Sequence, residues 1–218
     1  MNIDFTRLTT NKSKFYSLPN GYDNDDFNII NVNEKTQSNN KIELIFAGTF
    51  YNNTENLQHN LVNALKILKV KHPLVYQTFD IKFFGSNSQF VKELSKQFDI
   101  ISTFPPIPIK EIHTKIKNSD GGLLFLSDDI TYSFSTKFCE YIALDKPIIV
   151  FSEWGATAQY IKENKIGYWI DINNIENHLI SLFNKWEVNK TLYFNPDFDK
   201  TLFDIKYLTD DLLKIIKI

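Results

Sequence analysis

The chain has 218 residues, 43% of them hydrophobic, which is enough for one domain, or a domain with an extension, around a full core. A net charge of −2 gives no global pull towards nucleic acid or acidic membranes. A lone cysteine, Cys139, excludes an internal disulfide and offers no metal cluster, which suits a reducing cytoplasm.

Residues 1–40 are polar and irregular. The opening MNIDFTRLTTNK lacks the apolar core of a signal peptide, and no apolar run in the chain approaches the ~18 residues that cross a bilayer. Leu18-Pro19-Asn20-Gly21-Tyr22-Asp23 carries a turn signal, since glycine accepts positive φ without steric cost. The softest stretch runs from Glu34 to Asn40. Ile42 to Phe46 reads as the first strand, ending in Ala47-Gly48-Thr49-Phe50. A helix is predicted over 54–69, with Leu57, Leu61, Val62, Leu65 and Leu68 on one face. Phe79 to Phe84 is a second strand, ending in Gly85-Ser86-Asn87, and a short helix follows over 90–98. Ile100 to Phe104 is a third strand, closed by a Pro-rich loop, and 109–116 a brief helix.

The segment 121–152 then reads as strand, loop, helix, turn, strand. Leu123 to Leu126 is a continuous apolar run, as a strand covered on both faces shows. Ser127-Asp128-Asp129 ends it, and the loop to Ser135 has no apolar period. A helix starts near Ser135 or Thr136, both good N-cap types, and stops at Asp145-Lys146-Pro147. Ile148 to Phe151 is the fifth strand, 156–164 a helix, 167–170 the last strand and 173–186 another helix. An amphipathic helix over 202–216 closes the chain. Strand and helix alternate throughout, so the expected architecture is α/β: a single doubly wound, Rossmann-like domain over 41–218 with a mostly parallel six-stranded sheet.

In such a sheet, ligands meet the carboxyl ends of the strands and the helix N-termini above them. Gly48 and Gly85 stand at two strand ends, where they either let a ligand approach the backbone or simply make turns. Lys137 sits in the first helical turn, where it meets a phosphate or lies solvated, and Glu140 follows one turn on. There is no GxGxxG, so an NAD-type site is not indicated. His59, His72, His113 and His178 are scattered without ligand spacing. Asp128-Asp129 reads as a solvated turn rather than a metal-binding D-x-D, and Trp154, Trp169 and Trp186 as packing.

The stretch S-T-K-F-C-E-Y-I-A-L-D-K-P-I-I, from Ser135 to Ile149, resembles the signature of the C-terminal, donor-binding half of GT-B glycosyltransferases of the group 1 type. Asn20, Gly21 and Asp23 match the N-G-x-D turn that precedes that half. The resemblance implies that Gly48 and Thr49 lie near the diphosphate and donor sugar, and Gly85 near the nucleotide. It implies phosphate contacts from Ser135, Thr136 and Lys137, and ribose contacts from Glu140. Tyr132 stands where many members carry a sugar-contacting glutamate, Ser135 replaces the usual loop glycine, and no Arg or Lys occurs between Gly48 and Glu55. The implied ligand is a nucleotide-diphosphate sugar, UDP- or GDP-linked, used without metal or cofactor. The acceptor would belong to a separate N-terminal domain or chain, in bacterial polysaccharide assembly in the cytoplasm, with attachment to the inner membrane face through a partner. The alternative is a non-catalytic nucleotide-binding or interaction domain of the same fold. A receiver domain is disfavoured, because the strand tips are Gly48, Gly85 and Ser127 rather than aspartate.

Overall fold

The computed structural model describes residues 18–27, 40–50, 54–127, 130 and 132–216. Expectations that fall on 1–17, most of 34–40, and Asp128-Asp129 lie outside the described residues. Six short strands form the sheet: β1 (Ile42–Ala47), β2 (Phe79–Phe84), β3 (Ile101–Phe104), β4 (Gly121–Phe125), β5 (Ile148–Ser152) and β6 (Gly167–Asp171). Their order is β3-β2-β1-β4-β5-β6, and every neighbouring pair is parallel. This is the doubly wound α/β domain expected from the alternation of elements.

Helices cover both faces. On one side pack α1 (Glu55–Lys71), α2 (Pro73–Thr78), α3 (Gln89–Gln97) and α7 (Ile175–Asn189), whose Leu57, Val75, Leu94 and Trp186 join Leu44, Phe46 and Phe83 of the sheet. On the other pack α4 (Ile109–Asn118), α5 (Thr136–Ala143) and α6 (Ala156–Asn164), with Ile116, Phe138 and Ile161 against Ile45, Leu124 and Val150. Consecutive strand residues thus bury alternate side chains into two separate cores, which is why β4 and β5 read as nearly continuous apolar runs, and β1 as one broken only by Glu43.

Three elements depart from the sequence expectations. The helix α2 was not anticipated: His72 interrupts α1 and Pro73 restarts a turn of helix, proline being suited to the first helical position. Strand β4 begins at Gly121 rather than Leu123, and both glycines lie within it. A Cβ on Gly122 would meet the Tyr141 ring at 2.5 Å, so the missing side chain is what lets α5 sit on the sheet. The terminal helix α8 spans Ile205–Ile216, because Lys200–Phe203 forms a separate 3-10 turn capped by Asp199.

The expected Asn20-Gly21 turn is corrected by the structure: Gly21 has no positive φ, and its missing side chain serves packing instead, since a Cβ there would meet Leu208 Cδ1 and Phe203 O at 2.9 Å. Tyr22 accepts from Ile205 N and donates to Phe203 O, at 3.0 and 2.8 Å. Asn20 Nδ2 donates to Phe134 O at 2.7 Å, and Cys139 Sγ donates to Asn20 O at 3.3 Å. This segment therefore braces the loop and helix that follow β4.

Candidate functional site: a crevice over the β1 and β4 tips

The chain leaves β1 towards β2 on one side and comes back to β4 on the other, so the boundary between β1 and β4 is the topological switch point. In open α/β sheets ligands bind in the gap above such a point. A crevice of about 350 Å³ opens there. Phe46, Leu124 and Phe125 form its floor, Thr49, Phe50 and Thr54 one wall, and Ser127, Ile130 and Ser133 the other. Ser135, Thr136 and Lys137, the start of α5, close the end. Beneath it Phe125 packs against Phe46, Phe50 and Phe151 at ring separations of 5.4, 5.1 and 5.0 Å, which gives the floor little freedom.

The start of α5 is fixed from several sides. Ser135 caps it, its Oγ accepting from Phe138 N at 3.4 Å. One turn on, the buried Tyr141 hydroxyl donates to Leu123 O at 2.9 Å and lies 3.5 Å from Ile45 O, so it ties the helix to the two strands that flank the switch point. The preceding loop is held at Ser133, whose N donates to Thr157 Oγ1 on α6 at 2.5 Å. The free N–H groups of the first α5 turn therefore face the crevice from a rigid mount.

Lys137 reaches across this opening. Its Nζ lies 5.4 Å from the centre of the Phe46 ring, and its Cε and Nζ pass directly over Gly48. Desolvation in this partly buried position pulls its ammonium below the usual lysine pKa, and the carboxylate of Glu140 opposes the shift. Burial pushes the Glu140 carboxyl above the usual carboxylate range, with Lys137 opposing. Glu140 stands one turn inside α5 rather than on the crevice wall.

The residues singled out from sequence are distributed as follows. Thr49, Ser135, Thr136 and Lys137 line the crevice, and Gly48 lies under the Lys137 side chain. Gly85 stands at the next strand tip with φ +73°, facing Pro106 and outside the crevice. Close by, the Oγ atoms of Ser86 and Ser88 are buried without a hydrogen-bond partner among the described residues. Tyr132 faces away: it is exposed and lines a separate groove with Asn20, Phe134, Tyr160 and Tyr207. The apolar floor and the anchoring Tyr141 were not singled out, because an apolar residue at a strand end reads as core and a helical tyrosine as part of an apolar face. Among the described residues no group of three or more His, Cys, Asp or Glu could hold a metal ion.

No protein-family model and no curated protein sequence matches the chain. Solved structures do. MnaA of S. aureus, in a co-structure with UDP, superposes with a TM-score of 0.54 at 15% identity, over 85% of this chain and 48% of MnaA. A point mutant of TarM of S. aureus, in complex with fondaparinux, alpha-GlcNAc-glycerol and UDP, gives 0.50 at 11% identity, over 93% of this chain and 37% of TarM. The C-terminal domain of a glycosyl transferase group 1 family protein, LpcC of Francisella tularensis, gives 0.53 at 17% identity, over 89% of this chain and 97% of that domain. The chain thus spans under half the length of MnaA and TarM and nearly all of an isolated C-terminal domain. Its fold is that of the C-terminal, Rossmann-like half of GT-B glycosyltransferases.

Proposed function

We propose that this chain is the donor-binding half of a glycosyltransferase. It binds a nucleotide-linked sugar, UDP- or GDP-linked, and works with an acceptor-binding half in the same or another polypeptide. Residues 41–218 are the binding domain and 1–40 the segment leading into it. The observation that carries the reading is the placement of Lys137 and the α5 N-terminus in a crevice at the switch point, with Glu140 half-buried one turn behind. Lys137 and the helix N–H groups bind phosphate, and Glu140 accepts from the ribose hydroxyls. Gly48, Thr49, Ser135 and Thr136 shape the phosphate end, while Gly85 and the two unpartnered serine hydroxyls beside it face the nucleoside. UDP in the MnaA and TarM structures supports this choice of ligand. Transfer needs both substrates held in line with water excluded, and one wall of a cleft binds a donor without supplying that. The working site is cytoplasmic, in cell-surface polysaccharide assembly; among the described residues no helix is long and apolar enough to cross a membrane.

Calorimetric titration of the chain with UDP and GDP tests this, with dissociation constants in the micromolar to low-millimolar range expected for one of them. Absence of heat from both at millimolar concentration removes the reading.

One observation favours a second reading, a non-catalytic domain of the same fold: Tyr132, at the position of a sugar-contacting glutamate, lies outside the crevice. Under that reading Glu140→Ala leaves nucleotide affinity unchanged.

A further inference from the structure

Strand β6 ends the sheet. Ile148 N donates to Ile166 O at 3.0 Å and Ile172 N to Ser152 O at 3.4 Å, so the even-numbered residues of this stretch bond to β5. Gly167, Trp169 and Asp171 therefore turn their peptide groups to the outer edge. A pocket of about 270 Å³ opens along that edge, between α6 and α7. Four polar side chains converge on it: Lys162 from α6, and His178, Ser181 and Lys185 from α7. Lys162 Nζ lies 5.5 Å from the centre of the Trp154 ring, and Lys185 Nζ 5.1 Å from that of Tyr168. A cation over a ring face is attracted by the ring quadrupole, which restrains two side chains that would otherwise roam. His178 Nδ1 lies 3.0 Å from Trp169 O. A carbonyl only accepts, so Nδ1 donates and Nε2 is turned to the pocket side of the ring. The His178 ring meets the Trp169 ring edge-on at 5.3 Å, and Trp169 is itself fixed by its Nε1, which donates to Ser152 O at 3.0 Å.

This set of groups selects its ligand by charge and by proton. Two ammonium groups match a phosphate monoester, which carries about −1.5 to −2 at pH 7, whereas a lone carboxylate balances only one of them. A phosphate monoester also meets Nε2 in either protonation state. Its P–OH donates to a neutral imidazole, or its oxygen accepts from a protonated one. The half-buried rings of Tyr168 and Trp169 add apolar surface beside these contacts, which suits an organic group on the phosphate. The volume, at the small end of ligand pockets, suits a group no larger than a monosaccharide.

We propose that the outer edge of β6 is an anion site for a sugar phosphate. Lys162 and Lys185 bind the phosphate oxygens, His178 Nε2 and Ser181 Oγ complete the contacts, and the sugar packs on Tyr168 and Trp169. The site is separate from the donor crevice, since β4 and β5 stand between the switch point and β6, a span of roughly 12–15 Å at the usual strand spacing. It does not depend on the donor-binding reading.

The test is residue-resolved amide NMR of the intact chain, titrated with ribose 5-phosphate and, separately, with inorganic phosphate. Ribose 5-phosphate is expected to shift the amides of 167–170 and 178–185 in a saturable way, with a dissociation constant on the order of 1 mM. It should bind there at least about fivefold tighter than inorganic phosphate. Both lysines are exposed, so Lys162→Gln with Lys185→Gln should keep the thermal midpoint and weaken this binding about tenfold or more. No saturable shift at these residues up to about 20 mM ribose 5-phosphate overturns the inference. Equal affinity for inorganic phosphate overturns it too, because the sugar then makes no contact. Shifts that persist at the same affinity in the double variant place the phosphate elsewhere and overturn it as well. Shifts confined to the start of α5 have the same effect, while leaving the donor-binding reading intact.

Discussion

The end of the Lys137 side chain rests on Gly48: a Cβ on that glycine would lie 2.9 Å from Lys137 Cε and 3.0 Å from Nζ. Gly48 also has φ +114°, a backbone that L residues rarely adopt. Gly85, with φ +73°, shares the backbone strain, but its Cβ would meet only Pro106, at an ordinary 3.6 Å. Gly48→Ala and Gly85→Ala are therefore both expected to destabilise the chain, by about 1–2 kcal/mol each in urea unfolding. Only Gly48→Ala displaces the Lys137 ammonium, so it lowers nucleotide affinity at the phosphate end. An affinity unchanged from the parent in Gly48→Ala would show that the Lys137 position does not matter to binding.

The fold was largely legible in the sequence because its signals are local. A strand buried on both faces is a short apolar run, and the turn of Asp145-Lys146-Pro147 cannot be helical. The start of α5 was equally legible, since Ser135 is a good cap wherever it occurs. What could not be read were relations between distant residues. Gly48 meets Lys137 across 89 positions, and Tyr141 reaches both Leu123 and Ile45, with no periodicity to announce either. Tyr132 shows the same limit: that it lines a groove with Asn20 and Tyr160 follows from residues distant in the chain. The helix α2 escaped notice because six residues are too few for a helical period to show.

Tyr141→Phe keeps the ring that fills the space above Gly122 and removes only the hydroxyl. The Leu123 carbonyl then loses a buried 2.9 Å hydrogen bond. The expected loss of stability is about 1–3 kcal/mol, the range for stranding a buried polar partner. Because the same hydroxyl holds α5 to the middle of β4 and β1, amide exchange in the first α5 turn should speed up in step. A variant as stable as the parent would mean that packing alone seats the helix.

His113 on α4 is buried, with neither ring nitrogen hydrogen-bonded among the described residues, and its ring stacks on Phe27 at 4.4 Å. Burial lowers its pKa below the ordinary 6.5, with Asp26 opposing through its charge. A depressed folded-state pKa means that the native chain resists protonation and the unfolded chain does not. The stability that His113 contributes is therefore complete above about pH 6.5 and drains away as pH falls towards the lower native value. Urea midpoints should hold from about pH 8 to pH 7 and then drop by about pH 5.5, ahead of most carboxylates. His113→Phe should flatten that drop. A drop of the same size in the variant would assign it to other groups.

Glu140 is kept at a thermodynamic loss in the ligand-free chain. Its pKa is raised by burial, and Lys137 only partly compensates. The native state then holds its proton more tightly than the unfolded state, so stability falls as pH rises from the ordinary glutamate value through the raised native pKa. Glu140→Gln removes that charge at nearly constant shape. The variant is expected to be more stable than the parent at pH 7, and the gap should close as pH falls towards the ordinary glutamate value of 4.5. Nucleotide affinity should move the other way, falling by about tenfold or more, as loss of a charged hydrogen-bond acceptor predicts. A stabilising substitution that removes binding is what a residue retained for a ligand produces. If Glu140→Gln instead destabilises the chain and leaves nucleotide affinity intact, Glu140 belongs to the scaffold and the ribose assignment is lost.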